Sequence, residues 1–149
     1  MLSAIAFTFS GYWVTHITHN IVIDTIAWFP AEIYLLERFV RASKRSSILL
    51  LSLVLAVVVA VQFLAGQAQF FVYSLFFAGV YFIFRLWSGA LRPRKMGFGL
   101  ASIALSAIVA AGLSAIQILP SLEYFRLSER AGGLTPEVIN EHPFHFEEL

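Results

Sequence analysis

Residues 46–84 read SSILLLSLVLAVVVAVQFLAGQAQFFVYSLFFAGVYFIF, a run without a single Asp, Glu, Lys or Arg. One helix over these 39 residues would extend roughly 58 Å at ~1.5 Å per residue, about twice the ~30 Å hydrocarbon thickness of a bilayer. The run therefore holds two membrane spans. Its only polar step that contains glycine is Gly66-Gln67-Ala68-Gln69, which divides it into spans near 47–65 and 70–88.

Two further stretches free of Asp, Glu, Lys and Arg, 1–23 and 96–122, extend the pattern in both directions. A third span runs near 98–119 and stops at Pro120. Residues 21–40 make a weaker fourth, because Asp24, Pro30 and Glu32 interrupt an apolar and aromatic run, so that one side must meet protein or water. Residues 1–20 are apolar at first and polar after Gly11, without the cationic start and small-residue cleavage site of a signal peptide. They read as part of a helix from a longer chain. The expectation is an all-α polytopic transmembrane bundle of about four spans, with a partial N-terminal helix and short extracytoplasmic helices in 120–149.

Composition agrees with the membrane class. Of the 149 residues, 59% are apolar and 13% charged, against ~45–50% and ~25% in soluble domains. A formal net charge of +1 excludes the basic stripe of a nucleic-acid binder, and the hydrophobicity excludes a disordered chain. With no cysteine there is no disulfide framework, thiol nucleophile or thiolate metal site.

Orientation follows from the Lys/Arg bias. Arg41, Lys44 and Arg45 lie in one connection and Arg92, Arg94 and Lys95 in another, two connections apart. Loops 41–46 and 89–97 should both be cytoplasmic, with 66–69 and 120–149 outside.

Few residues offer chemistry. His16, Asn20 and Asp24 are spaced four apart and share a helical face, with His19 beside them. The cluster can contact a substrate or lipid headgroup, bind a divalent metal or simply be solvated; its spacing is no recognised metal signature. Glu32 next to Pro30 suggests a polar cavity where the backbone opens, or else an ion pair with a partner such as Arg85, which could also snorkel to the cytoplasmic surface. Glu37 and Arg38 read as boundary charges.

After Gly97, Ser102, Ser106, Ala110 and Ser114 recur every four residues, with Ala107, Ala111 and Ala115 as a neighbouring stripe. Small residues let helices approach closely in lipid, so this is a packing face, whereas 48–64 can face lipid on most sides. Beyond Pro120, residues 121–130 read as a short helix, followed by Gly132-Gly133 and a second helix start at Thr135-Pro136-Glu137. Glu123 can act as a base or ligand for cationic groups, and Arg126 and Arg130, four apart, can grip a phosphate. For each arginine alone, simple surface charge is the stronger reading. His142 and His145 read as part of a solvated tail.

The order of several motifs resembles the bacterial YfhO family of polytopic membrane proteins, itself similar to the GT-C glycosyltransferases. The matching pieces are Gly11-Tyr12-Trp13 followed by His16 to Asn20, Ala27-Trp28-Phe29-Pro30 leading to Glu37-Arg38, and Leu64-Ala65-Gly66-Gln67-Ala68-Gln69. They continue with Gln117-Ile118-Leu119-Pro120, then Glu123, Ser128, Arg130 and Gly132-Gly133, and His142-Pro143-Phe144-His145. Relatives often carry Gly-His-Pro-Gln at the third piece, so that Gln67 stands where the family has histidine.

The resemblance implies an internal part of a longer protein of the bacterial cytoplasmic membrane, packed against that chain's remaining helices. Its activity would be transfer of a sugar from a polyprenyl-phosphate carrier to a cell-envelope acceptor on the outer side. The acidic catalytic residue of such enzymes would precede Met1. Three functions compete. Glycosyl transfer predicts an outward cavity lined by Asp24, Glu123 and Arg130; a transporter or flippase places Glu32 and Arg85 along a mid-membrane path; a scaffold leaves the polar residues paired.

Overall fold

The computed structural model describes residues 20–89 and 93–127. Every regular element among them is a helix: α1 Asn20–Ile26, α2 Phe29–Arg41, α3 Arg45–Leu64, α4 Ala68–Trp87 and α5 Pro93–Leu127. Three are long and apolar enough to cross a membrane, namely Arg45–Leu64, Ala68–Trp87 and Met96–Leu127. The chain is an all-α, multi-pass membrane protein. The expected N-terminal helix over 1–20 and the second short helix after Gly133 fall outside the described residues.

The weak fourth span is two short helices, α1 of 7 residues and α2 of 13. Pro30 sits in the first turn of α2, where its missing N–H is tolerated. The same missing N–H leaves the Ile26 carbonyl without its donor four residues on, so the ladder gives way at Ala27–Trp28, one turn before the proline. Neither helix is long enough to cross alone.

Between α3 and α4 the chain turns at Gly66, whose φ of 97° is open to glycine and costly for other residues. Phe63 and Phe71 then meet edge to face across the hairpin, with ring centroids 5.1 Å apart. The Gly66–Gln69 break is where the sequence puts it.

Residues Met1–Ser114 form one compact unit and Ala115–Leu149 a second. In the first, α2 packs along α3 and α4, and α1 against the same two helices. Buried positions on α2 are Glu32, Leu35, Leu36, Phe39 and Val40, spaced i, i+3, i+4, i+7, i+8, the stripe of a helix with one face in a core. Leu35 and Leu36 join Leu55 and Ala78 in one cluster; Phe39 and Val40 join Ile48 in another, with Phe82, Phe98 and Ile103 packed around it. Ascending numbers on α2 thus meet descending numbers on α3 and ascending numbers on α4. The helix α2 runs antiparallel to α3 and parallel to α4.

Two expectations need correction. The stretch 48–64 does not face lipid on most sides: Ile48, Ser52, Leu55, Ala56, Ala60 and Gln62 are buried, because small residues on that stripe let α1 and α2 approach closely. The helix with the least buried surface is α4, where only Ser74 and Ala78 are covered. The last helix also does not stop at Pro120. In the second unit the residues up to Leu127 stay helical through the proline, so the separate short helix expected from residue 121 is the end of α5. Proline inside a membrane helix is tolerated where the freed backbone group is satisfied by other means.

The small-residue stripe behaves as expected on one face. Ser102, Ser106, Ala110 and Ser114 are all buried, and Ser102 Oγ donates to the Phe98 carbonyl at 2.9 Å, so its hydroxyl needs no partner on a facing helix. The neighbouring stripe differs: Ala107 and Ala111 are exposed.

Candidate functional site

The first unit has two polar layers. One lies toward the Gly66 hairpin, the other toward the connections that carry the arginines and lysines. In the first layer, Gln62 of α3 is fully buried and its Nε2 donates to the Thr25 carbonyl at 3.0 Å. That carbonyl lies at the end of α1, where the helical ladder is interrupted, so the amide partners a backbone group near the opening. Thr25, also fully buried, donates its own Oγ1 to the Ile21 carbonyl at 2.9 Å.

Glu32 sits in the first turn of α2 and is 1% exposed. Along α2 it falls after the Thr25–Gln62 contact and before the cluster of Leu35, Leu36, Leu55 and Ala78. Its level on α3 therefore lies between Gln62 and Leu55, in the half of that helix nearer the hairpin. Among the described residues, neither carboxyl oxygen has a hydrogen-bond partner, and Gln62 Oε1 is the one other buried side-chain oxygen in that state. An unpaired charge at that depth would cost several kcal/mol, on the order of 3 to 5 for a buried ion that has lost its partner.

The second layer is built on Glu37. Arg85 grips its carboxylate with a two-pronged fork, Nε to Oε2 at 2.8 Å and Nη2 to Oε1 at 2.9 Å. The Tyr81 hydroxyl donates to Oε2 at 2.7 Å, and Arg41, one turn along α2, donates to Oε1. Tyr81 and Arg85 are four apart on α4 and face Glu37 together. Arg45 lies over the Phe98 ring, 5.4 Å from its centroid, which brings the start of α3 to α5. Both basic connections consequently lie at the same end.

These contacts decide between the readings of Glu32. Its proposed partner Arg85 is engaged by Glu37, so the ion pair Glu32–Arg85 is not formed. Glu37 is correspondingly no mere boundary charge: it joins α2 to α4. A Tyr–Arg pair at i, i+4 on α4 and a Glu–Arg pair at i, i+4 on α2 are the signals that could have found it. Gln62 was also missed. The signal there was a lone amide inside an otherwise apolar span, costly unless bonded.

Of the other sequence-derived residues, the side chains of Asp24, Glu123 and Arg126 are described. Asp24 is exposed on α1, and the side chains of His16 and Asn20, together with Arg130, His142 and His145, lie outside what is described. Glu123 and Arg126 belong to the second unit, are exposed, and form no ion pair among the described residues. No group of three or more His, Cys, Asp or Glu side chains gathers among the described residues. No protein-family model, curated protein or solved structure matches the chain.

Proposed function

We propose that this chain is part of a polytopic transporter of the bacterial cytoplasmic membrane, in which Glu32 carries the coupling cation within the bilayer. The observation that supports this reading is the carboxyl itself: fully enclosed, without a donor among the described residues, and set beside the hairpin-side half of a membrane span. A structural carboxylate is paired, as Glu37 is. One left unpaired in an apolar layer needs a proton or a metal cation, and ion pathways are where such residues recur. The interrupted α1–α2 segment beside it matches the discontinuous helices on which transporters build ion sites. Reconstitution tests the reading. Liposomes containing the protein and a reporter dye should show cation uptake driven by an imposed membrane potential, lost in Glu32→Gln. Uptake equal in protein-free, wild-type and Glu32→Gln liposomes would overturn it.

A second reading, transfer of a sugar from a polyprenyl-phosphate carrier to a cell-envelope acceptor, rests on the YfhO resemblance. Its described charged candidates are exposed, Asp24 in the first unit and Glu123 and Arg126 in the second. Arginine suits a phosphate fork in a way lysine does not. Arg130→Lys and Glu123→Gln should then each abolish envelope glycosylation at unchanged protein level; full glycosylation in both removes these residues from the pocket.

A further inference from the structure

Glu32 and Gln62 together present three enclosed side-chain oxygens, and no donor among the described residues satisfies any of them. The Gln62 amide is not free to turn round, because its Nε2 is committed to the Thr25 carbonyl at 3.0 Å. Its Oε1 must therefore face elsewhere in the same layer.

Helix geometry brings the two groups toward a common level. Side chains lean toward the N-terminus of their helix, and α2 and α3 are antiparallel. Glu32 thus leans toward Trp28 and the interrupted ladder, while Gln62 leans from the hairpin end of α3 toward its middle. Those leanings direct the two groups toward the level at which Pro30 leaves the Ile26 carbonyl without its helical donor. We propose that Glu32 and Gln62 are joint ligands of a dehydrated sodium ion at this proline-interrupted segment. The proposal deepens the transport reading and rests on it.

Charge and donor type point to a hard monovalent cation. One carboxylate balances one monovalent cation; a divalent one would leave a net positive charge in a low-dielectric layer. Oxygen-only donors suit a hard cation. A proton on Glu32 neutralises the charge, but its O–H can satisfy only one further acceptor and leaves a carboxyl oxygen unpartnered. A sodium ion between the two side chains would take all three oxygens as ligands.

The test is protection of Glu32 from an apolar carbodiimide, read by mass spectrometry on the purified full chain in detergent. Sodium chloride should slow modification several-fold relative to choline chloride at equal ionic strength and pH, and Gln62→Ala should lose most of that protection. Glu32→Gln serves as the unlabelled control. Modification that varies with pH but is the same in sodium and choline overturns the sodium site while leaving a proton-coupled transporter standing. No modification of Glu32 at any pH overturns the transport reading itself. If Gln62→Ala does not fold, radioactive-sodium binding decides: wild type should bind and Glu32→Gln should not, and absence of binding by wild type overturns the proposal.

Discussion

The Arg85 guanidinium closes a fork on the Glu37 carboxylate, 2.8 and 2.9 Å, across 48 positions of sequence, and so fastens the parallel helices α2 and α4 at the end that carries the basic connections. Geometry of this kind gives arginine a role that lysine cannot fill, because only the planar group donates two parallel hydrogen bonds.

Stability should rank the variants of this cluster. Both side chains are 21% exposed, between the fully exposed pairs that contribute about 0–1 kcal/mol and the buried ones whose disruption costs about 3–5. Arg85→Ala should lower stability by about 1–2 kcal/mol, since Tyr81 and Arg41 still reach Glu37. Glu37→Ala removes the acceptor of all three donors and should cost more. Thermal unfolding in detergent measures both; equal melting temperatures for wild type and Glu37→Ala would show that the fork does not hold the helices together.

Ser106→Leu or Ala110→Leu should damage folding far more than Leu53→Ala. The first two positions are buried on the small-residue face, where added methylenes force the backbones apart at a cost of about 1–3 kcal/mol. Leu53 is 37% exposed, so trimming it removes little contact. Folded yield after extraction discriminates, and equal yields for Ser106→Leu and Leu53→Ala would show that the buried stripe is not an interface.

Single cysteines introduced into this cysteine-free chain should map its topology. Positions Lys44 and Lys95 are expected to be reactive from the cytoplasm and position Gln67 from outside, following the Lys/Arg bias of the connections. Reaction of Lys44 and Lys95 positions from opposite sides would contradict the shared end at which Arg45 meets Phe98; reaction of both from outside would invert the orientation.

By itself the sequence determined the class of the protein and the position of its α3–α4 turn. The reason is energetic: a backbone in hydrocarbon must satisfy its own hydrogen bonds, so a long uncharged run can only be helices, and its glycine-containing polar step can only be their turn. The stripe Ser102–Ser106–Ala110–Ser114 was legible for a similar reason, since small residues at helical spacing have one use in lipid. Partners were not legible. Glu32 and Glu37 lie five apart on one helix, yet among the described residues one is enclosed without a donor and the other receives hydrogen bonds from three side chains. What separates them is which turn of α4 and α3 each one meets, a matter of register between helices distant in sequence. The tertiary structure decided that Arg85 meets Glu37, that Gln62 reaches back to Thr25, and that Pro30 opens the chain one turn earlier without preventing α2 from starting. Side-chain chemistry in this protein is written in residue types, but its assignment depends on the depth at which packing sets each residue.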